Sequence, residues 1–284
     1  MGLREPSLEV AIGFKGVGKT FTTNQIIEQY IQSGPDGRKG RPVLVFDINA
    51  EYCESAGYPG YKAIDFDVLE KNEFKRSEQI RKITVPGKYR ILPYKKNRQP
   101  MNTSEMVITA ITICNYFRNG MLVLEDINKY TLSTFKQDLV GMFIGLRHLG
   151  VDLVIHFQTL RAIPPKIWGN MNYLRWHKQS DSIMKYKQRV DNFELYAIAE
   201  KIVERQYQTN QRYYLWVSNM EEKLIKVTPE EFKQGCIDYL SSYPGELSRM
   251  MNSIDLEGNK KHKSNQEAIS EFISSRSARY LKSE

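Results

Sequence analysis

The chain has 284 residues, 41% hydrophobic and 26% charged, which is the balance of a soluble globular protein with room for one α/β domain plus an extension or for two modest domains. Lys and Arg outnumber Asp and Glu by 41 to 33, and the net charge of +8 favours an anionic partner such as nucleic acid, a phosphate ligand or an acidic membrane face. No uncharged apolar run reaches the roughly 18–20 residues that span a bilayer, and the opening MGLREPSLEVAIGFKG has no secretory apolar block. Three separated cysteines, Cys53, Cys114 and Cys236, form no CxxC and no metal cluster, so the chain reads as belonging to a reducing cytoplasm without structural zinc.

LEVAI, residues 8–12, predicts a short strand, followed by a glycine-rich turn and a helical pattern from Thr20 to Ser33. The basic loop SGPDGRKGRP leads to a second strand, Pro42 to Ile48. Residues 53–86 are mixed and polar and indicate no clear element. KYRILPY, residues 88–94, predicts a strand. A helix from Ser104 to Arg118 follows, with Asn102, Thr103 and Ser104 as possible caps and no capping box on Ser104. MLVLE, residues 121–125, is a buried strand, residues 133–149 suit a helix, and VDLVIHFQ forms the next buried strand, ending on the uncharged amide of Gln158. Beyond Pro165 come a helix or turn, a strand at YLRWHKQ, a helix over 185–208 and a hairpin pairing 212–219 with 222–228. A helix starts at Pro229, a polar stretch covers 244–263, and a last helix opens on the capping box Ser264–Glu267. Alternating strands and helices imply a parallel sheet.

GFKGVGKT, residues 13–20, fits the phosphate-binding pattern G-x-x-x-x-G-K-[ST] between a strand and a helix. Backbone N–H groups and a helix N-terminus attract phosphate oxygens, Gly16 and Gly18 permit close approach, Lys19 reaches the terminal phosphates and Thr20 offers a hydroxyl to Mg²⁺. The expected cofactors are therefore ATP and Mg²⁺, and the nucleotide-contacting set is Gly13, Lys15, Gly16, Val17, Gly18, Lys19, Thr20 and Phe21. Glu125 and Asp126 end a hydrophobic strand, where one carboxylate holds the metal's water shell and the other polarises the attacking water. Strand register favours Glu125 for the metal and Asp126 for the water, and a one-residue shift would give Asp126 to the metal and leave Glu125 facing elsewhere. Gln158 ends the strand that follows, so it is expected beside the acidic pair, where an amide can hold the attacking water. The fold expected is α/β: a RecA-like P-loop core over residues 1–230, with a mainly parallel sheet and helices on both faces. A small, mostly helical and partly flexible extension would occupy 231–284.

Four stretches together resemble the FtsK–HerA superfamily of DNA-translocating P-loop motors, in character nearest the compact genome-packaging ATPases of viruses. They are GFKGVGKT, VLVFDINAEY with Asp47, Glu51 and Tyr52, LVLED, and RHLGVDLVIHFQTLRAIP. The resemblance covers roughly residues 8–180 and implies an ATP-hydrolysing double-stranded DNA translocase, such as a phage or mobile-element packaging motor in the host cytoplasm. It also implies a homo-oligomeric ring, pentameric or hexameric, with a capsid portal or vertex protein as its partner. Arg147 matches the family's arginine that reaches a neighbour's γ-phosphate, with Arg161 as the second choice. The order Glu-Asp departs from the commoner Asp-Glu and leaves the metal ligand open. Lys95, Lys96 and Arg98 in YKKNRQ, Lys129 beside the acidic pair, and the KKHK run at 260–263 are candidate DNA contacts. The alternatives are a membrane-associated phage assembly or secretion ATPase, and a nucleotide-binding switch or adaptor with little turnover.

Overall fold

The structure, a computed structural model, describes residues 5–34, 37–130 and 137–281. It divides into two compact units, Met1–Asn172 and Tyr173–Glu284. The domain boundary expected at residue 230 falls inside the second unit.

The first unit is built on six strands: β1 (Leu8–Ile12), β2 (Pro42–Phe46), β3 (Lys62–Ala63), β4 (Gly87–Ile91), β5 (Met121–Leu124) and β6 (Asp152–Phe157). They lie in the order β3-β4-β2-β5-β6-β1, and every pairing is parallel. All C-terminal strand ends therefore meet at one edge of the sheet, the edge where α/β proteins bind ligands. β2, β5 and β6 are buried along their whole length, as expected of Val- and Leu-rich central strands covered on both faces.

Helix α1 (Lys19–Tyr30) lays Ile27 against Val43 and Val45 of β2, Met121 and Val123 of β5, and Val154 of β6, and Tyr52 joins the same cluster. Side chains alternate faces along a strand, so the next residues of equal parity continue this α1-facing stripe. Those residues are Asp47, Glu125 and His156. The face under α1 is thus apolar along the strands and polar at their C-terminal tips.

Two short helices, α2 (Glu73–Arg76) and α3 (Glu78–Arg81), occupy the region that the sequence leaves unassigned. Helix α4 (Thr103–Tyr116) does begin with a capping box, carried by Asn102 and not by Ser104: Asn102 Oδ1 accepts from Glu105 N at 2.9 Å and Glu105 Oε2 from Asn102 N at 2.8 Å. Helix α5 (Gln137–Gly145) continues into a 3-10 turn at Leu146–Leu149, which leads to β6, and residues 133–136 of the predicted helix lie outside the described residues. Helix α6 (Pro165–Trp168) opens on a proline, whose missing N–H costs nothing at a first helical position.

The second unit carries the antiparallel strands β7 (Tyr173–His177), β8 (Tyr214–Ser218) and β9 (Lys223–Ile225), including the predicted hairpin. Helix α7 (Phe193–Gln206) packs against α8 (Pro229–Ser242) at Gly235, where a Cβ would stand 2.3 Å from Ile202 Cγ1. The polar stretch after residue 243 contains a further helix, α9 (Pro244–Met251). Helix α10 (Asn265–Tyr280) is capped by Ser264, but Glu267 turns its carboxylate to Lys263 N, so only half of the expected box forms. Arg276 fixes α10 to the start of α7 through a bidentate pair with Glu194 at 2.7 and 3.0 Å. Within the KKHK run, His262 is buried and bonds Glu271 and Met250 O.

Candidate functional site

The glycine-rich turn leaves β1 at Gly13 and enters α1 through Gly18. Gly16 and Gly18 take φ of 87° and 95°, a left-handed backbone that glycine adopts without strain. A Cβ at Gly16 would meet nothing within 4 Å, so the loop has room on that side. Helix α1 has no side-chain cap and no acidic residue in its first turn, and its N-terminal N–H groups and positive dipole end suit phosphate oxygens. Lys19 is buried, with Nζ 2.6 Å from Gly13 O and 2.8 Å from Phe14 O, which holds the ammonium at the loop. Val17 anchors the loop in the core, while Phe14, Lys15 and Phe21 are exposed. These features fit a nucleotide triphosphate chain.

The acidic pair is split by its surroundings. Glu125 is only 2% exposed and shares the α1-facing parity, on the same side of the sheet as the P-loop helix. Its Oε1 accepts from Tyr52 Oη at 2.6 Å and lies 3.1 Å from His156 Nδ1. Burial pushes its pKa up, but His156, the Tyr52 hydroxyl and the charge of Lys19 outweigh this and hold the carboxyl below its ordinary range. Asp126 takes φ 36° and starts a 3-10 turn at Ile127–Lys129. Its Oδ2 accepts from Asn49 Nδ2 at 3.1 Å and lies 3.9 Å from Lys129 Nζ, and Lys129 also bonds Asn49 Oδ1.

Sheet order sets Gln158. β6 lies between β5 and β1, with Leu124 opposite Ile155 and Phe157 opposite Ile12. Gln158, the next residue, is exposed and stands in register beside Gly13, the first residue of the P-loop, with Gly13 N bonded to Phe157 O at 3.3 Å. Arg161 follows on the turn Leu160–Ala162 at the same edge. Arg147 belongs to the opposite edge, in the turn before β6, and bonds Asn170 O.

Four residues outside the expected set complete the arrangement: Glu51, Tyr52, His156 and Thr23. Thr20 Oγ1 donates to Glu51 Oε2 at 2.9 Å, so a second carboxylate reaches the P-loop threonine. Thr20 and Glu51 thus bring together two hard oxygen groups of the kind that suits Mg²⁺. Asp47, buried at the end of β2, accepts from Glu51 N and Tyr52 N and pairs with Arg90 at 3.2 Å. Burial raises the pKa of Asp47 despite these bonds. One sequence signal points to His156: it is the polar residue inside VIHF, two positions from the stripe residue Val154.

The candidate DNA contacts divide. The loop after β4 rises from the same sheet edge, but Lys95 is tied to Glu105 at 3.0 Å and Lys96 lies 3.6 Å from Asp67. Arg98 is exposed with φ 62°, and Lys129 is half-exposed in its tie to Asn49 and Asp126. No helix among the described residues is long and apolar enough to cross a membrane.

No curated protein sequence matches the chain. Among solved structures, the genome-packaging NTPase B204 of Sulfolobus turreted icosahedral virus 2, in complex with ATPγS, is similar in fold with a TM-score of 0.51. Its sequence identity is 10%, over 78% of this chain and 97% of that one. The DNA-packaging ATPase B204 of Sulfolobus turreted icosahedral virus aligns at 14% identity over 78% of this chain and 98% of that one, with a TM-score of 0.46. The family model for the central domain of helicase HerA matches residues 12–280, and the chain belongs to that family.

Proposed function

We propose that this HerA-family protein hydrolyses ATP to move double-stranded DNA, as a subunit of a ring that packages a phage or mobile-element genome from the host cytoplasm. The observation that carries the reading is the convergence, at one sheet edge, of the P-loop on β1, the buried Glu125 after β5 and Gln158 on the strand between them. The loop N–H groups and Lys19 bind the phosphates and offset their charge. Mg²⁺ arriving with the nucleotide would be held by Thr20 together with Glu125 or Asp126, and would supply further charge neutralisation. The carboxylate of the pair that does not hold the metal polarises the attacking water, and Gln158 orients that water by donating and accepting. Arg147 or Arg161 of a neighbouring copy supplies the guanidinium, and a portal or vertex protein seats the ring. Net charge and the exposed Lys96, Arg98 and Lys129 favour a phosphate backbone as cargo.

Steady-state ATPase activity with and without double-stranded DNA tests this reading in wild type, Lys19→Ala and Gln158→Ala. The expected result is DNA-stimulated turnover in wild type, lost in both variants. Turnover indifferent to DNA would sink the motor, and tight binding without turnover would leave a nucleotide-dependent switch.

A further inference from the structure

Glu125 is the buried centre of a polar chain whose other members the hydrolysis reading does not use. Tyr52 has no exposed surface, and its ring belongs to the apolar cluster beneath α1. A buried phenol needs an acceptor, and this one donates to Glu125 Oε1 at 2.6 Å. Asp47 holds the backbone from which Tyr52 projects, accepting from its N–H at 3.1 Å and from that of Glu51 at 2.9 Å. On the other side, the fully buried His156 lies 3.1 Å from the same Oε1 through Nδ1 and 2.8 Å from Thr23 Oγ1 through Nε2. His156 thus stands between Glu125 Oε1 and Thr23 Oγ1, with one ring nitrogen turned to each. Thr23 sits on α1, one turn beyond Lys19 and Thr20.

Both contacts thus fall on one carboxylate oxygen. They fix the carboxylate plane through Oε1 alone and do not engage Oε2. We infer that Tyr52 and His156 are positioning residues for Glu125, and that the chain Asp47–Tyr52–Glu125–His156–Thr23 locks its orientation to the P-loop helix. The inference rests on the hydrolysis reading above and deepens it.

The test uses the full chain and a cycle of Tyr52→Phe, Glu125→Gln and the double variant. Tyr52→Phe keeps the ring and removes only the hydroxyl. Its expected effect is a fall in kcat of about tenfold, with KM and the affinity for a fluorescent ATP analogue measured without Mg²⁺ unchanged to within about twofold. On the Glu125→Gln background the same change should cost nothing further, because its route to the chemistry is gone. At residue 156, Asn keeps an N–H donor near the place of Nδ1, whereas Gln keeps one near Nε2. Asn should therefore recover part of the turnover lost in His156→Ala, and Gln should not. A parallel cycle in chemical denaturation reads the Tyr52–Glu125 contact without any turnover, and non-additive unfolding midpoints are expected.

Additive midpoints, a Tyr52→Phe turnover equal to wild type, or equal losses from Tyr52→Phe with and without Glu125 would each overturn the positioning role while leaving hydrolysis standing. A wild type that binds the analogue and never turns ATP over overturns the hydrolysis reading, and the positioning role with it. If Tyr52→Phe does not fold, the His156 series decides alone: equal activity of the Asn and Gln variants overturns the role.

Discussion

Arg147 offers a quantitative test of the ring. Strand β6 separates it from the site, since Arg147 stands in the turn before Asp152 and Gln158 follows Phe157. Six extended residues span roughly 20 Å at about 3.3 Å each, more than an arginine side chain can bridge. Arg147 is therefore confined to two outcomes: action on a neighbour's nucleotide, or no part in the chemistry. If it acts in trans, Arg147→Ala should lower kcat about 10³-fold, roughly 4 kcal/mol of barrier, while nucleotide affinity stays near that of wild type. Mixing decides between the outcomes. Lys19→Ala subunits lack a working P-loop but keep Arg147, and Arg147→Ala subunits are the reverse. In a randomly mixed 1:1 ring, about a quarter of the interfaces pair an intact P-loop with an intact arginine, so activity should rise to about that fraction of wild type. The assay is steady-state phosphate release with double-stranded DNA present, after co-assembly at several ratios. An Arg147→Ala protein with wild-type turnover refutes the assignment. So does a mixture no more active than its separate parts, or complementation that follows Arg161→Ala instead.

Two further predictions concern the frame and the cargo. Arg90→Met leaves the buried Asp47 without its cationic partner and should cost about 3 kcal/mol, roughly 6–12 °C in melting temperature. Burial already raises the pKa of Asp47 above its ordinary value of 3.8, so the folded state holds that proton more tightly than the unfolded chain does. The cost is therefore absent well below pH 3.8 and grows as pH rises through the folded pKa; melting curves of both proteins from pH 4 to 8 that stay parallel would contradict this. On the cargo, Lys96→Ala and Arg98→Ala should each reduce the salt dependence of DNA binding by about one counterion, whereas Lys95→Ala should act mainly through stability, because Lys95 is tied to Glu105. Fluorescence anisotropy across a salt series checks this, and unchanged slopes for both exposed residues would remove that loop from the DNA path.

The P-loop was legible in the sequence because its chemistry is local: GFKGVGKT encodes its own turn, and the apolar strand before it and the helix after it supply the context. The same holds for the strands that end at Glu125 and Gln158, whose apolar runs are strong. Helix starts were less secure, because several polar residues compete for one cap. Asn102 prevailed over Ser104 since only Asn102 stands three residues before a glutamate that can return the bond. Helix α9 escaped notice because an eight-residue amphipathic segment amid polar residues resembles a loop.

The order Glu125-Asp126 illustrates a deeper limit. A central strand such as β5 is buried on both faces, so its sequence carries no alternation from which to read parity. Parity emerges only when neighbouring strands are set in register. Then Val43, Val45 and Asp47 on β2, Met121, Val123 and Glu125 on β5, and Val154 and His156 on β6 fall on one face, beneath α1. Three adjacent strands thus bring polar tips to the same buried place. A buried polar group without a partner is costly, so those tips must be satisfied by each other or by what lies above them. Arg90, Tyr52 and Thr23 do this, and each is distant in sequence from its partner. The network that orients Glu125 is for that reason a property of strand order, and motifs along the chain show Asp47, Tyr52 and Glu125 without the bonds that join them.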